Sequence, residues 1–149
     1  MAAVSQQRPD LFGCVINIVG LLDMLRFHNF TCGSSCMGEY GDPSIKKYFD
    51  YIIKYSPLHN IDIPLDGQWP ATLLMTADHD DRVVPSHTLK YIATLYEKAN
   101  THGKQSNPLM ARIESKAGHG SGKPTCKIIT EEADIYAFIQ RVLGLKWIP

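Results

Sequence analysis

The run Ala71-Thr72-Leu73-Leu74-Met75-Thr76-Ala77 carries no charge and lies between Pro70 and the charged stretch Asp78-His79-Asp80-Asp81-Arg82. A segment of that length without polar alternation reads as a strand covered on both faces. Such strands belong to parallel sheets, whose crossover helices supply the cover. Gly13-Cys14-Val15-Ile16-Asn17-Ile18-Val19 is a second apolar run of strand length, and Pro108 to Glu114 alternates weakly as a third. Helical patterns fill the gaps. Met1 to Gln7 reads as the end of a helix stopped by Arg8-Pro9-Asp10. Asp42-Pro43-Ser44 signals a helix start, followed by Ile45, Tyr48, Phe49, Ile52 and Ile53 at helical spacing and stopped by Ser56-Pro57. After Pro85, Leu89, Ile92, Ala93 and Tyr96 form one face that ends near Ala99. Behind the Gly-rich loop Gly118 to Gly122, Ile128, Ile135, Ala137, Phe138 and Val142 mark a last helix. The alternation predicts an α/β fold, a parallel sheet with flanking helices and right-handed crossovers, in one domain without repeats or linkers.

Charge narrows the partners. The 149 residues hold 15 Lys plus Arg against 15 Asp plus Glu, with no basic cluster, so no nucleic acid and no membrane surface is implied as a partner. The longest apolar stretch, Cys14 to Leu22, is about half the ~18 residues that a membrane span needs. Met1 to Arg8 has no apolar h-region of a signal peptide. Cys14, Cys32, Cys36 and Cys126 are few and scattered, which reads as reduced thiols in the cytoplasm. His28, Cys32 and Cys36 would share one face of a helix, but Gly33 argues against that helix, and a structural zinc site wants four ligands at closer spacing. No metal and no cofactor is expected.

In an open parallel sheet, reacting groups gather just beyond the carboxyl ends of strands. Two polar loops have that position, Asp78 to Arg82 and Lys116-Ala117-Gly118-His119-Gly120. An acidic residue after one strand and a histidine after the next is the order that follows the nucleophile in an α/β-hydrolase. The histidine takes the nucleophile's proton, and the carboxylate fixes its tautomer and stabilises the imidazolium. On residues alone a solvated, helix-capping loop at Asp78, Asp80 and Asp81, and a surface turn at His119, fit equally well. The glycines flanking His119 tip the balance toward function, because they leave the ring unshielded. His59, His79, His87 and His102 lack that context and read as structural or solvent-facing. Ala117 to Pro124 is not a phosphate loop, since Ala117 replaces its first glycine and Pro124 its magnesium-binding hydroxyl. Asp78, His79, Asp80 and Asp81 are adjacent in an extended loop, where side chains diverge, and do not make a metal site. The chain contains no Gly-x-Ser-x-Gly nucleophile elbow.

Five stretches carry a specific resemblance: Gln7 to Gly13, Lys54-Tyr55-Ser56-Pro57-Leu58-His59-Asn60, Thr76 to Pro85, Lys116 to Gly120, and Trp147-Ile148-Pro149. In this order, and across the whole chain, they resemble the carboxyl-terminal part of the prolyl oligopeptidase family, serine peptidases that combine an α/β-hydrolase domain with a β-propeller. The resemblance implies a partial peptidase domain over 1–149 that cleaves short proline-containing peptides after proline. It implies Asp80 as the triad carboxylate, His119 as the base, Arg82 as a residue holding a substrate carbonyl, and Val83 and Tyr40 as pocket lining. It also implies that the serine lies upstream of Met1, on the elbow that starts the helix ending at Gln7. The oxyanion donors, early strands and propeller are then outside these residues. Cys36 stands where the family usually has a tryptophan that stacks on the substrate proline, and a thiol cannot replace an indole face. The competing expectation is a non-catalytic truncated product that acts as a binding or interaction module or has no activity.

Overall fold

A computed structural model describes residues 1–120, 122–146 and 148. Its centre is a three-stranded sheet of β1 (Cys14–Ile18), β2 (Ala71–Ala77) and β3 (Leu109–Glu114), in the order β1-β2-β3. Both pairings are parallel, with Cys14 opposite Ala71 and Thr72 opposite Leu109. Every residue of β2 is buried, as its uncharged run requires. The helices are α1 (Ala2–Gln7), α2 (Met37–Tyr40), α3 (Lys46–Ile52), α4 (Ser86–His102) and α5 (Thr125–Leu143).

Strand side chains alternate between faces, so β2 serves two cores. Leu74 points to the side covered by α1 and α4, where it joins Ala2, Leu22, Trp69, Tyr91, Ile92 and Leu95. Leu73 and Met75 point to the other, packing with Phe138, Ile135 and Val142 of α5. A third cluster of Met24, Phe27 and Ile52 anchors the irregular segment after β1, with Cys36, Met37 and Tyr40 packed on it.

Three helix faces differ from the sequence reading. The helix expected to start at Asp42 begins at Lys46. Asp42 Oδ1 accepts hydrogen bonds from the Ser44 amide and hydroxyl at 2.9 and 2.7 Å, which closes a turn and leaves Ile45 extended. Of the expected apolar face only Ile52 is buried, while Ile45, Tyr48 and Phe49 are exposed. On α4 the buried residues are His87, Thr88, Tyr91, Ile92 and Leu95, and Leu89, Ala93 and Tyr96 face outward. The helix turns that way because its polar tips find partners inside: the Tyr91 hydroxyl accepts from the Gln6 amide at 3.1 Å, and His87 Nδ1 accepts the Asp23 N–H at 3.0 Å. On α5 Phe138, Ile135 and Val142 meet the sheet as expected, whereas Ile128 and Ala137 are exposed.

His28, Cys32 and Cys36 do not share a helix. His28 lies in the 3-10 turn Phe27–Asn29, Cys32 precedes and Cys36 ends a second, Gly33–Cys36, and all four cysteines are free thiols. Ser121 in the Gly-rich loop, and Trp147 and Pro149 of the terminal matching stretch, lie outside the described residues. Among the described residues no helix is long and apolar enough to cross a membrane.

Candidate active site

Because β2 and β3 are adjacent and parallel, with Ala77 opposite Glu114, the loops that follow them leave the sheet side by side. Asp78 ties the two together. Its Oδ2 accepts the Lys116 N–H at 2.9 Å and its Oδ1 the Ala117 N–H at 3.2 Å, while the Asp78 N–H donates to the Glu114 carbonyl at 3.0 Å. His79 Nδ1 also lies 2.7 Å from Asp78 Oδ1. These donors, the His79 ring foremost, hold the Asp78 carboxyl well below the ordinary carboxylate range. Lys116 adopts φ +50°, the left-handed bend that starts the second loop.

The tied loops bring Asp80 and His119 into contact. His119 Nδ1 is 2.9 Å from both Asp80 oxygens. Asp80 Oδ1 also accepts the N–H groups of Arg82 and Val83, at 3.0 and 2.8 Å. A carboxylate only accepts, so the proton between the two residues belongs to Nδ1 and the neutral ring keeps a lone pair on Nε2. The Asp80 side chain is 0% exposed and that of His119 22%, so the pair is closed behind and open in front. The arrangement suits a base whose tautomer is held by a buried carboxylate.

The loop is not extended, as the sequence reading had it. Asp78 to Val83 run through turns and bends, and Asp80 folds back onto the amides two and three residues ahead. Arg82 and Asp81 are exposed, and Val83 is half-buried. Tyr40 packs edge-on against Phe27 at 5.8 Å, and burial, with Glu39 nearby, pushes its phenol up. It lines a groove of about 480 Å³ with Met37, Lys47, Tyr48 and Tyr51. That groove does not include Asp80, Arg82, Val83 or His119. A larger cavity of about 960 Å³, between α5 and β3, is also lined by none of the expected site residues. The segment that carries Tyr40 still reaches the site: Thr31 Oγ1 donates to the Arg82 carbonyl at 3.1 Å, and the Cys32 thiol approaches the same oxygen at 3.5 Å.

A profile of the prolyl oligopeptidase family matches residues 1–146. The chain belongs to that family. It is 46% identical over 147 residues to a prolyl endopeptidase of Dictyostelium discoideum, covering 98% of this chain and 19% of that protein. It is 48% identical over 143 residues to a prolyl oligopeptidase of Omphalotus olearius, covering 96% and 19%. A solved prolyl endopeptidase structure superposes with a TM-score of 0.84 at 40% identity, over 99% of this chain and 20% of its own. Oligopeptidase B of Leishmania major does so at 0.84 and 28% identity, over 97% and 20%. The chain therefore spans about a fifth of the length of the prolyl oligopeptidases it matches. Its parallel sheet and flanking helices are part of an α/β-hydrolase fold of that family.

The two loops that the sequence pairs lie side by side in the structure, but sequence reasoning missed Asp78 as their tie and Thr31 and Cys32 as the link to Arg82. Asp78 had a legible signal: an aspartate directly after a buried strand is placed to accept neighbouring amides. Thr31 and Cys32 had none, since their partner lies 51 and 50 positions away.

Proposed function

We propose that this chain is the carboxyl-terminal part of the catalytic domain of a cytoplasmic serine peptidase that cleaves short peptides after proline. The observation that carries the reading is the 2.9 Å contact of His119 Nδ1 with a fully buried Asp80 carboxylate, at the carboxyl ends of adjacent parallel strands. Asp80 holds His119 in the tautomer with a free Nε2. That nitrogen takes the hydroxyl proton of a serine outside these 149 residues as the serine attacks the scissile carbonyl, then returns it to the leaving amine. Asp80 stabilises the imidazolium formed in between. Arg82 holds a substrate carbonyl, and Val83 and Tyr40 line the pocket beside it. Supporting the peptide substrate, a relative in the same family, prolyl oligopeptidase B of Galerina marginata, has been solved bound to a 35mer hydrolysis and macrocyclization substrate. Four free thiols fit a reducing compartment.

By the same argument the 149 residues alone hydrolyse no peptide, since they contain no nucleophile elbow. A serine-directed fluorophosphonate provides the test. The polypeptide that carries the upstream serine takes up one label per chain, and the 149-residue chain takes up none. Stoichiometric labelling of the 149 residues alone would overturn the assignment of the nucleophile.

A further inference from the structure

The Arg82–Val83 peptide group is held at both ends. Its N–H, that of Val83, donates to Asp80 Oδ1 at 2.8 Å, and its C=O, that of Arg82, accepts from Thr31 Oγ1 at 3.1 Å and from the Cys32 thiol at 3.5 Å. The C=O and N–H of a planar trans peptide point in opposite directions, so donors on the oxygen fix the direction of the hydrogen. They also polarise it, because a carbonyl that accepts makes its own N–H a stronger donor. The donors themselves are rigidly held. Thr31 has φ +38°, rare for a β-branched residue, and strain of this kind gathers at functional sites. On one side Phe30 packs edge-on against the buried His87 at 5.5 Å. On the other, Gly33 lies so close to the Phe27 carbonyl that an added Cβ would be 1.9 Å from its oxygen.

From this geometry we infer that Thr31, assisted by Cys32, is a positioning residue for the peptidase reaction. It clamps the Arg82–Val83 peptide so that the Val83 N–H holds Asp80, and through Asp80 the ring of His119, in the reactive arrangement. The inference rests on the proposed role of the Asp80–His119 pair.

The test has two arms. Amide hydrogen exchange at Val83 and turnover of a proline-containing peptide are both read on the polypeptide that carries the serine. Thr31→Val with Cys32→Ala removes both donors while keeping the shape of residue 31. It should speed Val83 exchange and lower kcat, each by about 2- to 10-fold, the range expected for loss of neutral hydrogen bonds. Thr31→Ser, which keeps the hydroxyl, should restore both. If that double variant fails to fold, Thr31→Ala with Cys32→Ala removes the same two donors and gives the same comparison. Unchanged Val83 exchange overturns the clamp, whether turnover is retained or lost. If Asp80→Asn leaves turnover intact, the triad reading fails instead, and the exchange arm still decides the clamp.

Discussion

Asp80 accepts three donors from a buried position, so a substitution there tests orientation and charge together. In the serine-bearing protein, Asp80→Asn should keep the fold yet lower kcat by about 10³- to 10⁴-fold, because an amide favours the wrong histidine tautomer and leaves the imidazolium unsupported. Arg82→Ala should differ in kind. In its proposed role, loss of its charge-assisted bond to a substrate carbonyl should cost about 1.5 to 3 kcal/mol and appear in kcat/KM. Asp81, exposed on the same loop, should tolerate Asn with little effect. Steady-state kinetics of the three variants separates these outcomes, and loss of activity in Asp81→Asn with retention in Asp80→Asn would reassign the triad carboxylate. Asp78 belongs to a different experiment. Its folded pKa is depressed, so its contribution to stability is present above about pH 4 and is lost as the pH falls through its folded value. Asp78→Asn should therefore speed hydrogen exchange at the Lys116 and Ala117 amides at neutral pH, and unchanged exchange would remove Asp78 as the tie between the loops.

Between elements, one buried polar cluster joins the segment after β1 to α4 and to the 3-10 turn Pro57–His59. Asp23 lies between Lys90 Nζ at 3.1 Å, Arg26 at 3.4 Å and His59 Nε2 at 4.0 Å, and its own N–H donates to His87. Burial pushes the Asp23 carboxyl up, but the Lys90 bond and the surrounding charges outweigh it and the net shift is down. For His87 and His59 burial dominates and lowers both, with Asp23 opposing. The sign follows directly. A histidine whose folded pKa lies below its unfolded value of about 6.5 contributes stability that is complete above that pH and declines as the pH falls through it. Tm should be level from pH 8 to 7 and drop toward pH 5, and His87→Asn, which keeps an acceptor for the Asp23 N–H, should flatten part of that slope. An unaltered slope would exclude His87 as a contributor. In the neighbouring cluster, Gly33→Ala forces a Cβ against the Phe27 carbonyl and should cost about 1 to 3 kcal/mol in urea unfolding. A wild-type midpoint would show that the 27–36 segment yields freely.

At the scale of the whole molecule, β1 and β3 each pair on one side only among the described residues, leaving two sheet edges open. Ile45, Tyr48, Phe49 and Tyr51 are exposed on or beside α3, and the cavity between α5 and β3 presents Met110 and Leu145. Open parallel edges and apolar patches favour association. The 149-residue chain by itself should therefore elute as a mixture of oligomers and melt broadly, and a monodisperse monomer with a sharp cooperative melt would contradict this.

The uncharged run at 71–77 pointed to a strand buried on both faces in a parallel sheet, because seven such residues between a proline and a charged loop match a strand's length and fall short of a buried helix's. The same order of strands and loops put Asp80 and His119 at one end of that sheet, since parallel neighbours release their loops side by side. Local pattern did not decide which face of α4 is buried. That depended on where Tyr91 and His87 find hydrogen-bond partners, Gln6 and Asp23, remote in the chain. Nor did it reveal which amides Asp78 accepts or the hydrogen bond of Thr31 to the Arg82 carbonyl, because a hydrogen bond between distant segments depends on the approach of two backbones, which only the folded packing supplies.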